Sequence, residues 1–196
     1  MSNDGDFQTS ASLLLRIRDS RDGSAWETFV AVYAPLVTGH CRRKGIQEAD
    51  ADDVAQNVMI RVANAIRSFD YEPQRSKFRS WLGTITANEI ATQRAKLARR
   101  PISTLTPLEV GQADPTWNRD FAQHVLAVSM DRIRGEFEPT TWAAFEASWI
   151  RREPPLDIAT RLGIAIHAVY VNKSRVLKRL ESEVMLLAED FPMTSG

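Results

Sequence analysis

Apolar residues recur along this chain at three- and four-residue intervals and nowhere in sustained alternation, so its regular structure is predicted to be helical throughout. Trp26, Phe29, Val30 and Tyr33 open the first stripe. They follow Ser24 and Glu27, spaced as a capping box, and predict a helix from about Ser24 to Arg43 that Gly45 stops. A second helix is predicted over Ala51 to Ser68. On a wheel of about 100° per residue, Val54, Ala55, Val58, Met59, Val62, Ala65, Ile66 and Phe69 fall within one arc of about 140°, the core face. The opposite arc holds Asp53, Gln56, Asn57, Ile60, Asn64 and Arg67. A single exposed isoleucine is ordinary, but one set among hydrogen-bonding side chains is also suited to anchoring a partner. A third helix, Phe78 to Arg99, groups Phe78, Trp81, Leu82 and Ile85 on a core face and turns polar and basic in its second half. Trp81 is read as core.

Further helices are predicted over Trp117 to Phe137, Thr140 to Arg151, Pro155 to Leu162 and Ala165 to Leu187, with Pro139 and Pro155 at starting positions that proline tolerates. Between the two groups, Pro101 to Pro115 carries Pro101, Pro107, Gly111 and Pro115 and little periodicity, as a linker does. The predicted organisation is all-α. A disordered tail (1–9) precedes a helical domain (10–100), a linker (101–116), a second helical domain (117–187) and a second tail (188–196). Within the second domain, Leu156 to Ile164 reads as a short helix and a turn at Gly163, and a longer helix follows. That is the layout of a helix-turn-helix, whose second helix enters the DNA major groove. Val169, Val176 and Leu180 are its predicted core positions.

Formal net charge is zero, yet the charges lie in blocks. Glu48, Asp50, Asp52 and Asp53 form an acidic cluster, and Arg94, Lys96, Arg99 and Arg100 a basic one. From Ile158 to Leu180 there are five basic residues and no acidic one. Local fields rather than net charge steer a polyanion, so the blocks read as separate surfaces for separate partners. Cys41 is the only cysteine, which excludes an intramolecular disulfide and a cysteine-rich zinc site. The polar start, Met1 to Thr9, lacks a signal-peptide core, and no stretch is apolar enough to span a bilayer; the expectation is a cytoplasmic protein. His40, His124 and His167 are scattered, with no phosphate loop or nucleophile motif nearby. No enzymatic activity, cofactor or metal is therefore expected.

Two motifs in tandem then carry a resemblance. Asp50-Ala-Asp-Asp-Val-Ala-Gln-Asn-Val-Met-Ile-Arg-Val, Phe69-Asp70 and Phe78-Arg-Ser-Trp-Leu-Gly-Thr-Ile-Thr-Ala-Asn88 form the first. Ile158-Ala-x-x-Leu-Gly-Ile with Ser174-Arg-x-Leu-x-Arg-Leu180 forms the second. In this order they resemble bacterial RNA polymerase sigma factors of the extracytoplasmic-function type, in the sigma-70 superfamily. The resemblance implies a non-enzymatic subunit that binds core polymerase and directs promoter-specific initiation. Asp52, Asp53, Gln56, Asn57, Ile60, Asn64 and Arg67 would meet the clamp of the largest polymerase subunit. Tyr71, Lys77, Asn88, Arg94, Lys96 and Arg99 would act at an opened −10-like element, where bases need stacking faces and the backbone needs positive charge. Ile166, His167, Tyr170 and Asn172 would meet base edges of a −35-like element, and Lys173, Arg175, Lys178 and Arg179 its phosphates. The implied partners are core polymerase and promoter DNA, the family also allows an anti-sigma protein, and the free chain is expected to be monomeric. Ala165 stands where the family usually has Ser or Thr, and Asn172-Lys173 where an Arg-Leu pair is common, which bears on the promoter sequence read. A helix-turn-helix regulator that binds duplex DNA without polymerase is the competing reading; it leaves the acidic helix and the Trp81 helix without a role.

Overall fold

Asp22 fixes where the first long helix begins. The computed structural model describes residues 13–19, 21–67, 78–98 and 115–188, and every regular element among them is helical. A short helix α1 (Leu13–Arg16) leads to α2 (Gly23–Arg43). The predicted Ser24 capping box does not form. Asp22 Oδ1 accepts the Ala25 N–H at 2.9 Å, and the Ser24 hydroxyl donates to that same oxygen at 2.8 Å. A carboxylate is the better acceptor for an unpaired helix donor, and Arg16 Nε strengthens its hold at 2.9 Å. The Arg16 bond first, then the Ala25 N–H and the Ser24 hydroxyl, lower the Asp22 pKa from 3.8 to about 2. A carboxyl depressed by folding stabilises above its unfolded pKa, and that contribution is lost as pH falls through the folded one. The thermal midpoint of the protein should therefore exceed that of Asp22→Asn at pH 5, with the gap closing as pH falls from about 4 to about 2. A gap that stays constant over this window would remove Asp22 from that role.

α2 buries Ala25, Phe29, Val32, Tyr33, Leu36, Val37, His40 and Cys41, while Trp26 and Val30 of the predicted stripe are half-buried. Its end is a Schellman turn. Gly45, at φ 82°, donates to Arg42 O at 3.0 Å, and Ile46 donates to Cys41 O at 3.1 Å. α3 (Glu48–Ala65) buries Ala51, Val54, Ala55, Val58, Met59 and Val62, and Ile66 follows them inward. Ala65 is half-buried, and Phe69, predicted on the same face, lies outside the described residues. α4 (Phe78–Leu97) buries Phe78, Leu82, Thr86, Glu89, Ile90 and Ala95. Trp81 and Ile85, predicted as core, are half-buried beside them.

α5 (Pro115–Arg134) belongs to two compact units. The first unit runs up to His124 and takes in Leu186 to Ala188; the second is Val125 to Met185. The predicted linker falls almost wholly outside the described residues, but residues 117–124, predicted in the second domain, pack with the first. The reason is aromatic. Phe29 and Tyr33 lie 4.6 Å apart by ring centroid, Phe78 stands edge-on to both, and Phe121 stacks on Tyr33 at 5.9 Å. Trp117 is 1% exposed, its indole N–H donating to Arg79 O at 2.8 Å. Its ring occupies the place where a Cβ on Gly83 would stand, only 2.6 Å from that position. Asp120 adds a polar clasp, accepting from His40 Nδ1 at 2.6 Å and Arg43 Nε at 3.0 Å. Burial works to raise its pKa, and these two bonds together hold it below the usual value.

In the second unit α6 (Pro139–Phe145) continues as a π-helical turn over Glu146–Ile150, followed by α7 (Pro155–Leu162) and α8 (Ile166–Leu187). Ala144, Ala147, Ile158, Ala159 and Val169 form a buried cluster closed by Leu162 and Ile164. Gly163, at φ 65°, ends α7 in the left-handed region, and Ile164 N–H returns to Ala159 O at 3.1 Å. Val176 and Leu180 are buried, as their spacing predicts. Among the described residues no helix is long and apolar enough to cross a membrane.

Candidate functional site

The outer face of α3 is presented on a fixed support. Asp52, Asp53, Gln56, Ile60, Asn64 and Arg67 are exposed and Asn57 is half-buried, so this predicted set shares one open surface. Ile60 is 52% exposed, an apolar side chain ringed by polar ones. Behind it α3 is joined to α4 twice. Gln93 Nε2 donates to Asp50 Oδ1 at 2.8 Å, and Arg61 pairs with the buried Glu89. Glu48 pairs with Arg42 at 3.3 Å, and Thr38 donates to Asp52 Oδ1 at 3.3 Å. The acidic cluster is thus divided: Glu48 and Asp50 secure neighbouring elements, and Asp53 stands on the open face. Arg61 and Glu89 were not singled out in the sequence, since neither breaks the helical pattern and their partnership spans two helices.

The six residues predicted for an opened duplex are only partly placed. Tyr71, Lys77 and Arg99 lie outside the described residues. On α4, Lys96 falls within about 80° of the half-buried Asn88, and Arg94 about 120° to the other side. There Arg94 Nη2 donates to Lys44 O at 2.8 Å, helping to close the end of α2. The structure therefore groups Asn88 with Lys96 and separates Arg94 from both.

On α8, Ile166, Tyr170, His167, Lys178 and Arg175 are exposed and share an arc of about 180°. Tyr170 is the most open of its apolar and aromatic members, 57% exposed. Asn172 and Lys173 are half-buried, at the two edges of that arc. Val171 is 39% exposed on the same arc and was not among the predicted residues; counting the wheel on from Ile166 finds it. Arg179, predicted among the phosphate-facing cations, is ion-paired in the free chain. Its guanidinium is taken up by Glu136, with both bonds at 2.7 Å, and by Glu183 at 3.0 Å. Glu136 is the first cause of the upward shift of its pKa.

Residues 29–100 match the family model for Sigma-70 region 2, spanning most of α2 and all of α3 and α4. Over 88 residues the chain is also 32% identical to the ECF RNA polymerase sigma factor RpoE of Cereibacter sphaeroides. That alignment covers 45% of this chain and 48% of the relative, so the chain spans about half the length of the curated protein it matches. The exposed α3 face and the Asn88–Lys96 side of α4 both lie within the matched residues. Trp117, Asp120 and Phe121 lie beyond the matched residues and complete the core of the first unit.

Proposed function

We propose that this chain is a dissociable initiation subunit of the extracytoplasmic-function sigma type, which binds core RNA polymerase and directs it to promoters. The observation that carries the reading is the open face of α3 within the region 2 segment, where acidic, amide and apolar side chains stand together over a braced core. That face docks on the clamp of the largest polymerase subunit, with Ile60 as its apolar anchor and Asp53 as its exposed acid. Asn88 and Lys96 of α4 act at the opened −10-like element, Asn88 by hydrogen bonding and Lys96 by charge, together with Tyr71, Lys77 and Arg99 of the adjoining segments. In the helix-turn-helix of α7 and α8, Ile166, His167, Tyr170 and Asn172 meet base edges of a −35-like element. Lys173, Arg175 and Lys178 meet its phosphates. Phosphate contacts position the protein, and discrimination comes from base contacts at about 1–3 kcal/mol for each good bidentate pair. RNA synthesis itself belongs to the polymerase, and an anti-sigma protein is the kind of partner that would restrain this chain.

Reconstituted transcription tests the reading. Core polymerase with the chain added should initiate on a subset of genomic fragments from the same bacterium that core alone leaves silent. A folded chain that adds no transcript on any fragment would sink the assignment.

A further inference from the structure

Arg179 differs from the other basic side chains of α8 in where its charge goes. It lies about 40° past Arg175 toward the buried side of the helix, and Glu183 lies about 40° further on. Nε and Nη2 donate to the two oxygens of Glu136, in the turn after α5, and Nη1 donates to Glu183. The Glu183 side chain is 4% exposed and also meets Arg132 of α5 at 2.7 Å. Two acids and two arginines thereby form a chain without net charge that runs from α5 through the following turn to α8. A carboxylate buried this deeply needs its cations, and a forked guanidinium fixes both separation and plane. To reach a phosphate, Arg179 would have to give up three charge-assisted bonds and leave Glu183 with Arg132 alone.

We propose that Arg179 is a positioning residue of the DNA-reading helix: it holds α8 against the end of α5, so that Ile166, His167, Tyr170 and Arg175 are presented together, and it makes no phosphate contact. The inference rests on the DNA-binding reading of α8 given above. It separates two neighbouring cations, Lys178 and Arg179, that helix periodicity and charge alone treat alike.

The test uses the full chain with Arg179→Gln, Glu136→Gln and, as the reference phosphate contact, Arg175→Gln. Binding to a fluorescein-labelled duplex of mixed sequence is measured over a range of salt. Arg175→Gln should weaken binding and flatten the salt slope by about one unit. Arg179→Gln should weaken binding with the slope unchanged, and Glu136→Gln, which leaves the arginine charge in place, should produce the same loss. A slope flattened by about one in Arg179→Gln overturns the proposal, because it marks a lost phosphate contact. Tighter binding by Glu136→Gln overturns it too, because the pairing would then compete with DNA. Hydrogen exchange on the free chain gives a readout without DNA. Amides of residues 176–184 should exchange about tenfold faster in both Arg179→Gln and Glu136→Gln, and unchanged exchange in both overturns the tether. If the unaltered chain does not bind the duplex, the DNA-reading assignment fails, and the exchange rates tell that failure apart from failure of the tether.

Discussion

Trp117→Ala is expected to lower the unfolding free energy by about 3–5 kcal/mol, a large part of the stability of a domain of this size. The indole is almost wholly buried between Gly83, His40 and Phe121, and its removal leaves a cavity and an Arg79 carbonyl without its donor. Gly83 gives the sharper version of the experiment. A methyl there would stand 2.6 Å from the Trp117 ring, so Gly83→Ala should destabilise by about 1–3 kcal/mol through overpacking. With Trp117 already replaced by alanine the steric objection is gone. The same substitution should then stabilise by up to about 1 kcal/mol, because alanine is the better helix former. Chemical unfolding of the four proteins reads the change of sign directly. Additive effects would mean that Trp117 does not sit in the Gly83 slot and that residues 117–124 are not part of the first unit's core.

This slot also marks where reading the chain without its fold stops. The core face of α3 was legible because eight apolar positions repeat at the helical period, and the same periodicity separated the open face from the buried one. The exposed arc of α8 was legible in the same way. Local patterns failed where a distant partner decides. Ser24 and Glu27 have capping-box spacing, yet Asp22 wins the cap because Arg16 braces its carboxylate. Arg179 looks like any basic residue on an amphipathic helix, and its acid lies 43 positions upstream. Trp117 and Phe121 read as the start of a second domain, since helical spacing shows that a face is apolar but not what covers it. Glu89 is a carboxylate buried in the middle of α4, which no composition rule predicts; Arg61 of α3 accounts for it.

The second large effect is on polymerase binding. Asp53 is exposed in the second turn of α3, on the same face as Ile60. Asp53→Arg should therefore leave the thermal midpoint nearly unchanged, as substitutions of exposed side chains usually do. At an interface with the clamp, however, it replaces an attraction by a repulsion. Like-charge juxtaposition there costs several kcal/mol, so affinity should fall by about 100-fold or more. Titrating bacterial core RNA polymerase into the labelled full chain, with Asp53→Arg beside it, is the most direct measurement. Tight binding by the unaltered chain and a loss on that scale in a variant that stays folded are the outcome expected of a sigma subunit docked through α3. Equal affinity of the two would place the polymerase contact elsewhere, and no binding by the folded, unaltered chain would contradict the sigma reading itself.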